Sequence, residues 1–101
     1  MSQLPLIDNQ EDIKKASSIF RAIAHPLRKK MLQLLAEKQQ ATVTEIYVGL
    51  RLEQSVASQH LKILREANIV KTQRRGKVIL YKVNYDHLSK LEKIVSEIIS
   101  V

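Results

Sequence analysis

Ser55, Ser58, Gln59, Lys62, Arg65 and Glu66 fall within an arc of about 120° when the segment opened by Glu53-Gln54-Ser55 and running to Ala67 is wound as a helix. The other side carries Val56, Ala57, Leu61, Ile63, Leu64 and Ala67. One side packs; the other offers hydroxyls, an amide and two cations. These are the groups that read base edges and hold phosphates in a duplex. A Gln amide pairs bidentately with adenine, a Ser hydroxyl serves either base type, and Lys and Arg neutralise phosphate. Gln54, at the opening of the same helix, joins Ser55, Ser58, Gln59, Lys62 and Arg65 as a candidate contact. An ordinary solvated face has the same look, so the neighbouring elements must decide.

A second group of charges lies downstream. Lys71, Arg74, Arg75, Lys77 and Lys82 sit on or beside two β-type runs, Ile69 to Arg74 and Val78 to Val83, linked by Arg75-Gly76-Lys77. A Gly in a short polar link predicts a hairpin. A tip of Arg74, Arg75, Gly76 and Lys77 suits a phosphate row or a narrow groove. Cations also keep sheet edges from pairing. Hairpin and helix face together favour a nucleic-acid surface.

The elements that must position these groups are legible in turn. Residues 1–8, with Pro5, read as an arm. A first helix covers 9–24, with Ile13, Ala16, Phe20 and Ile23 at spacings of three and four. His25-Pro26 interrupts it, and proline is welcome at the first position of a helix. A second helix therefore starts at Pro26, with Leu27, Met31, Leu34 and Leu35 inward and Arg28, Lys29 and Lys30 decorating its first half. Thr42-Val43-Thr44-Glu45 has capping-box spacing and opens a short third helix, with Ile46 and Leu50 inward. Residues 43–67 then form a helix-turn-helix, whose second member enters the major groove. Asn68 tolerates the left-handed conformation found just past a helix end. A wing follows over 69–83, and a last helix over 85–99 carries Leu88, Leu91, Val95 and Ile98 at helical spacing.

The expected fold class is mainly α with a small β-hairpin (α+β). It is a single winged helix-turn-helix domain of five helices, with a two-stranded wing between the fourth and fifth. A chain of 101 residues builds only a modest core, and its aromatic fraction of 4% leaves Leu, Ile and Val to build it. The stripes Ile13, Phe20, Ile23 and Leu88, Leu91, Val95, Ile98 therefore predict pairing with a second copy. The last helix could also lie on a membrane surface, but a homodimer explains its stripe without lipid.

Composition narrows the chemistry. Lys and Arg total 17 against 10 Asp and Glu, a formal charge of +7, which fits a polyanion binder. There is no Cys, which excludes disulfides, thiolate metal sites and thiol redox switches. Met1 to Gln10 lacks a signal pattern and no apolar run reaches membrane length, so a cytoplasmic location is expected. No acid/base or nucleophile constellation points to an enzyme; Ser58 and His60 do not face each other on a helix. No cofactor is expected. Asp86 and His87 are adjacent and point apart, so no metal site is expected there. His60, in the middle of the packed arc, reads as a hydrogen-bonded core histidine, and His25 as a cap of the second helix or a solvated side chain. Tyr47, Tyr81 and Tyr85 are too scattered for a base-stacking platform.

The run Val56-Ala57-Ser58-Gln59-His60-Leu61-Lys62-Ile63-Leu64-Arg65-Glu66-Ala67-Asn68-Ile69-Val70 resembles the recognition-helix region of the ArsR/SmtB family of bacterial winged-helix repressors. Ala24-His25-Pro26-Leu27-Arg28 is similar to that family's opening of the second helix, and Arg75-Gly76-Lys77 followed by Tyr81 to its wing. The resemblance covers residues 12–100. It implies a dimer built by the first and last helices and a repressor that leaves its double-stranded DNA operator when a signal arrives. The departures are specific. Thr42 and Thr44 stand where thiol-based metal sensors carry Cys, and Tyr85, His87, Ile98 and Val101 where others carry Asp, His, His and Glu. Arg51 stands where a turn Gly is common, and Glu53 where a Ser cap is common. The expectation is thus a dimeric DNA-binding repressor without the usual metal sites and with its inducer unassigned. The competing expectation is a winged-helix protein-interaction module that no longer binds DNA.

Overall fold

The computed structural model describes the backbone of residues 10–89 and the side chains of 13–89. The expected arm at 1–8 and the expected interface residues Leu91, Val95 and Ile98 lie outside the described residues.

Helix α1 (Gln10–Ala24) stops at His25, and α2 (Pro26–Lys38) starts at the proline. His25 is extended (φ −75°, ψ 126°), and its ring Nδ1 accepts the Leu27 N–H at 3.1 Å. Proline at the first position costs nothing there, because that N–H would have had no helical partner. Thr42 then opens α3 (Val43–Gly49) with the expected capping box. Its Oγ1 accepts the Glu45 N–H at 3.1 Å, and Glu45 Oε1 accepts the Thr42 N–H at 2.9 Å. Helix α4 (Gln54–Glu66) follows a short turn, and residues 85–89 are again helical.

The wing is the expected two-stranded hairpin, and the sheet gains a third strand that the sequence did not announce. Its order is β1-β3-β2, all antiparallel, with β1 (Ala41–Thr42) added to the hairpin of β2 (Val70–Arg75) and β3 (Val78–Val83). Ala41 pairs with Tyr81 and Thr42 with Leu80. Two residues are too few for alternation to show in sequence, and Thr42 is already committed to its cap. The added strand makes β3 central and ties the wing to the helical body. Arg75 belongs to β2, so the link shrinks to Gly76-Lys77. Gly76 has φ 62° at the first central position, the II′ geometry that asks for glycine.

Every element contributes to one core: Ile19 and Ala22 from α1, Met31 and Leu35 from α2, Ala41, Ile46 from α3, Ala57, Leu61 and Leu64 from α4, then Ile69, Val70 and Val83. Each large apolar side chain so buried stabilises the fold by about 1.5–3 kcal/mol relative to exposure. Three sequence expectations shift. The α1 stripe is broader than its packing needs: Ile19 and Ala22 face the core, Ala16 and Ile23 pack partly against it, and Ile13 and Phe20 stay outside. Leu88, expected at an interface, packs partly against its own core. Ile63, expected inward, is 41% exposed because it sits at the edge of the packed arc of α4, over an open groove.

Candidate nucleic-acid interface

The interface is built on how α4 is held. Ala57, Leu61 and Leu64 are at most 1% exposed, and this buried side fixes the helix's rotation about its axis. Gln54, Ser55, Ser58, Gln59, Lys62 and Arg65 are all exposed as a consequence. The helix begins at an extended Glu53 whose side chain makes no capping bond. It ends in two bonds that define a Schellman motif: Ile69 N–H to the Leu64 carbonyl and Asn68 N–H to the Arg65 carbonyl, both at 2.9 Å. Asn68 takes φ 59°, as expected, and Ile69 is fully buried, closing the motif's apolar contact.

The turn between α3 and α4 has the same construction. The Leu52 N–H reaches the Tyr47 carbonyl at 2.8 Å, and the Arg51 N–H reaches the Val48 carbonyl at 3.2 Å. The left-handed position is Arg51, at φ 56°. An arginine there is strained relative to glycine by about 1 kcal/mol, since its Cβ crowds the carbonyl that follows. At the close of α3, a Cβ added to Gly49 would stand 3.1 Å from Leu34 Cδ1, so the small residue lets α3 lie against α2.

In the wing the pleat separates neighbours that the sequence groups together. Lys71, Gln73 and Arg75 share one face with Val78, Leu80 and Lys82; Val70, Thr72 and Arg74 share the other with Ile79, Tyr81 and Val83. Arg74 and Arg75 therefore point to opposite sides. Arg74, Arg75 and Lys77 are all exposed, and Arg74 Nε donates to the Gly76 carbonyl at 3.1 Å and braces the turn. Lys77 also lines a 250 Å³ cleft with Thr42, Val43, Thr44, Val78 and Ile79, which brings the wing turn beside the start of α3.

Two groups have displaced titrations. The Thr42 N–H, foremost, holds the Glu45 carboxyl below its ordinary value, with help from Lys38, whose Nζ lies 3.9 Å from Glu45 Oε2. His60 corrects the sequence reading: it is half-buried, not a core residue, and its Nδ1 lies 3.2 Å from Arg28 Nη1. Its neighbour on that side is the N-terminal end of α2, not an apolar layer. Burial, then the charge of His25 and then that of Arg28, lower its pKa below 6.5. Arg28 is likewise no surface decoration, as Lys29 and Lys30 are; it is half-buried and hydrogen-bonded. Its partners lie far along the chain or on another helix, beyond the reach of spacing arguments. Among the described residues no three metal-ligating side chains converge, and no helix is long and apolar enough to cross a membrane.

A capped helix, a tight turn, a second helix with an exposed polar face and a β-hairpin behind it define a winged helix-turn-helix. Residues 25–72 match the bacterial regulatory protein arsR family. The chain is 36% identical over 88 residues to an HTH-type transcriptional regulator of Methanocaldococcus jannaschii, covering 87% of this chain and 99% of that one. It is 35% identical over 82 residues to the HTH-type transcriptional repressor SmtB of Mycobacterium tuberculosis, covering 81% of this chain and 60% of the repressor. The crystal structure of the transcriptional repressor PagR of Bacillus anthracis superposes with a TM-score of 0.72 at 28% identity, over 85% of this chain and 99% of PagR. The solution structure of a homodimeric winged helix-turn-helix DNA-binding domain from Mycobacterium bovis gives 0.71 at 22% identity, over 87% of this chain and 81% of that one. The chain belongs to the ArsR family of bacterial regulatory proteins.

Proposed function

We propose that this protein is a homodimeric, sequence-specific repressor that binds a double-stranded DNA operator with α4 in the major groove and the wing on the adjoining backbone. The observation that carries the reading is the division of α4: Ala57, Leu61 and Leu64 locked in the core, Ser55, Ser58, Gln59, Lys62 and Arg65 held outward. Gln59 and Ser58 read bases, Lys62 and Arg65 hold phosphate, and Gln54 and Ser55 approach the backbone at the helix start. Arg75 and Lys77 contact phosphate or the minor groove, while Arg74 supports the turn that presents them. Pairing uses the exposed Ile13 and Phe20 with Ile23, Leu88, Leu91, Val95 and Ile98, in keeping with the homodimeric relative and the relatives named repressors.

The signal is not metal at the positions the family's sensors use. The sequence holds no Cys, Thr42 is spent on its cap, and Ile98 and Val101 have no side-chain donor atoms. Selection of duplexes from a random pool tests the reading. An enriched sequence with two half-sites about one helical turn apart supports it. Failure to enrich any duplex overturns it, and release of the duplex by zinc or arsenite overturns the metal-independent part.

A further inference from the structure

Three helices meet through one side chain. Arg28 Nε donates to the Ala22 carbonyl at 2.7 Å, and Nη2 lies 3.4 Å from the Arg21 carbonyl. Both carbonyls belong to the last turn of α1, where no intrahelical donor remains for them. Arg28 Nη1 lies 3.2 Å from His60 Nδ1. Among the described residues this is the one side-chain hydrogen bond that α4 makes to another element.

A guanidinium has only donors, so His60 Nδ1 must be the acceptor, with the ring neutral and its proton on Nε2. The ring of His25 lies 4.6 Å away, and its own Nδ1 is committed to the Leu27 N–H. We propose that the Arg28–His60 clasp is a positioning contact that trims how α4, already held by its buried side, sits against α1 and α2, and that it closes only while His60 is neutral, making operator binding acid-sensitive. The proposal rests on the reading of α4 as the DNA-contacting helix.

Protonation of His60 would turn donor toward donor and put two cations face to face. The groups acting on it are His25 at the start of α2 and Arg28 within α2; Arg21 and Glu66 line the groove beside Arg28. Each of the named causes disfavours the imidazolium. The sign follows: a histidine whose folded pKa lies below its ordinary value of 6.5 keeps its contribution above that value and loses it as pH falls through the lowered one. Simple electrostatics predicts the opposite, because a protein made more basic by acid should grip DNA harder.

The test has two arms. Nitrogen NMR of the His60 ring reads the clasp without DNA. The Nε2–H tautomer and a midpoint below 6.5 are expected; an Nδ1–H tautomer or an ordinary midpoint overturns it. The second arm uses the duplex that the wild type enriches at neutral pH, at fixed ionic strength. Affinity should fall about fivefold per half-site from about pH 7.5 to about pH 5.5, the scale of one ordinary net hydrogen bond. His60→Asn places an acceptor oxygen near the Nδ1 position and cannot be protonated there, so it should bind at neutral pH and show no acid loss. His25→Asn keeps a good cap and removes one of the charges that lower the His60 pKa, so it should keep the acid loss with its midpoint moved upward. Arg28→Lys keeps the charge but cannot reach both Ala22 and His60, so it should bind weakly at every pH. Wild-type affinity that holds or rises in acid, or an acid loss that survives in His60→Asn or vanishes in His25→Asn, overturns the proposal. Failure to enrich any duplex refutes the DNA reading and with it the positioning role, while the NMR arm still reports whether the clasp exists.

Discussion

Lys71 and Lys82 lie directly opposite each other across the antiparallel wing, on the face that also carries Arg75. Like charges so paired cost about 0.2–1 kcal/mol, and a sheet gains nothing internal from them. An anionic partner on that face turns the cost into binding. Lys71→Glu should therefore stabilise the free protein by about 0.5 kcal/mol and weaken duplex binding. The salt slope of log K should also fall by about 0.9 for each phosphate contact removed, doubled in a symmetric dimer. Urea unfolding and duplex titrations at several salt concentrations measure both. A stabilised variant with unchanged affinity and slope would show that the wing cations serve only to protect the sheet edge.

The reading face of α4 makes a prediction of a different kind. Gln59→Ala should cost about 1–3 kcal/mol per half-site and relax preference at one base pair. Lys62→Ala should weaken all sequences alike and lower the salt slope. Both side chains are exposed, so neither variant should shift the unfolding midpoint. If Lys62 carries the base preference and Gln59 the salt dependence, the assignment of the face is wrong.

Arg51 holds the left-handed position of the turn between α3 and α4 at φ 56°. Arg51→Gly should relieve about 1 kcal/mol of backbone strain, partly offset by the greater freedom of glycine in the unfolded chain. A net gain of about 0.5 kcal/mol in thermal or urea unfolding is the expected outcome. A loss of stability would mean that the Arg51 side chain does more for the turn than its backbone costs.

Thr42 and Glu45 cap α3 reciprocally, and the pH dependence of that cap has a definite sign. The carboxyl is held below its ordinary 4.5, so its contribution is complete above that value and is lost as pH falls through the lowered one. Glu45→Gln should flatten this acid limb of the stability curve. Thr42→Ala should cost about 1 kcal/mol at neutral pH, as the loss of an N-cap acceptor does. Equal acid limbs in wild type and Glu45→Gln would show that the carboxylate is not bound to the Thr42 N–H in solution.

The elements were legible wherever the signal is local. Pro26, the Thr42–Glu45 box, Asn68 and Gly76 each act within a few residues, and each sits in the backbone geometry its chemistry requires. The rest depends on contacts between distant segments. Strand β1 exists because Ala41 and Thr42 meet β3 some forty positions later, which two residues cannot announce. In sequence Arg28 reads as one of three solvated cations, and only the approach of α4 singles it out. His60 lies on the packed side as periodicity required, but periodicity cannot say that the facing surface there is a guanidinium.

Neighbouring residues on α1 allow the dimer to be separated from the fold. Ile19 is 2% exposed and belongs to the core, whereas Phe20 is 54% exposed and Ile13, on the same side one heptad earlier, is 49% exposed. Ile19→Ala should cost about 2–5 kcal/mol by leaving a cavity, and should unfold monomer and dimer alike. Phe20→Lys removes no core contact, so the protomer should keep its helical content. It places a charge where an apolar partner surface is proposed, and should shift the sedimenting species from dimer to monomer. Duplex binding should then weaken without any loss of a DNA contact, because each protomer would engage a half-site alone. The effect should be large on a duplex with two half-sites and small on one with a single half-site. A Phe20→Lys protein that still sediments as a dimer would place the interface elsewhere, and a wild type that sediments as a monomer at micromolar concentration would remove the homodimer altogether.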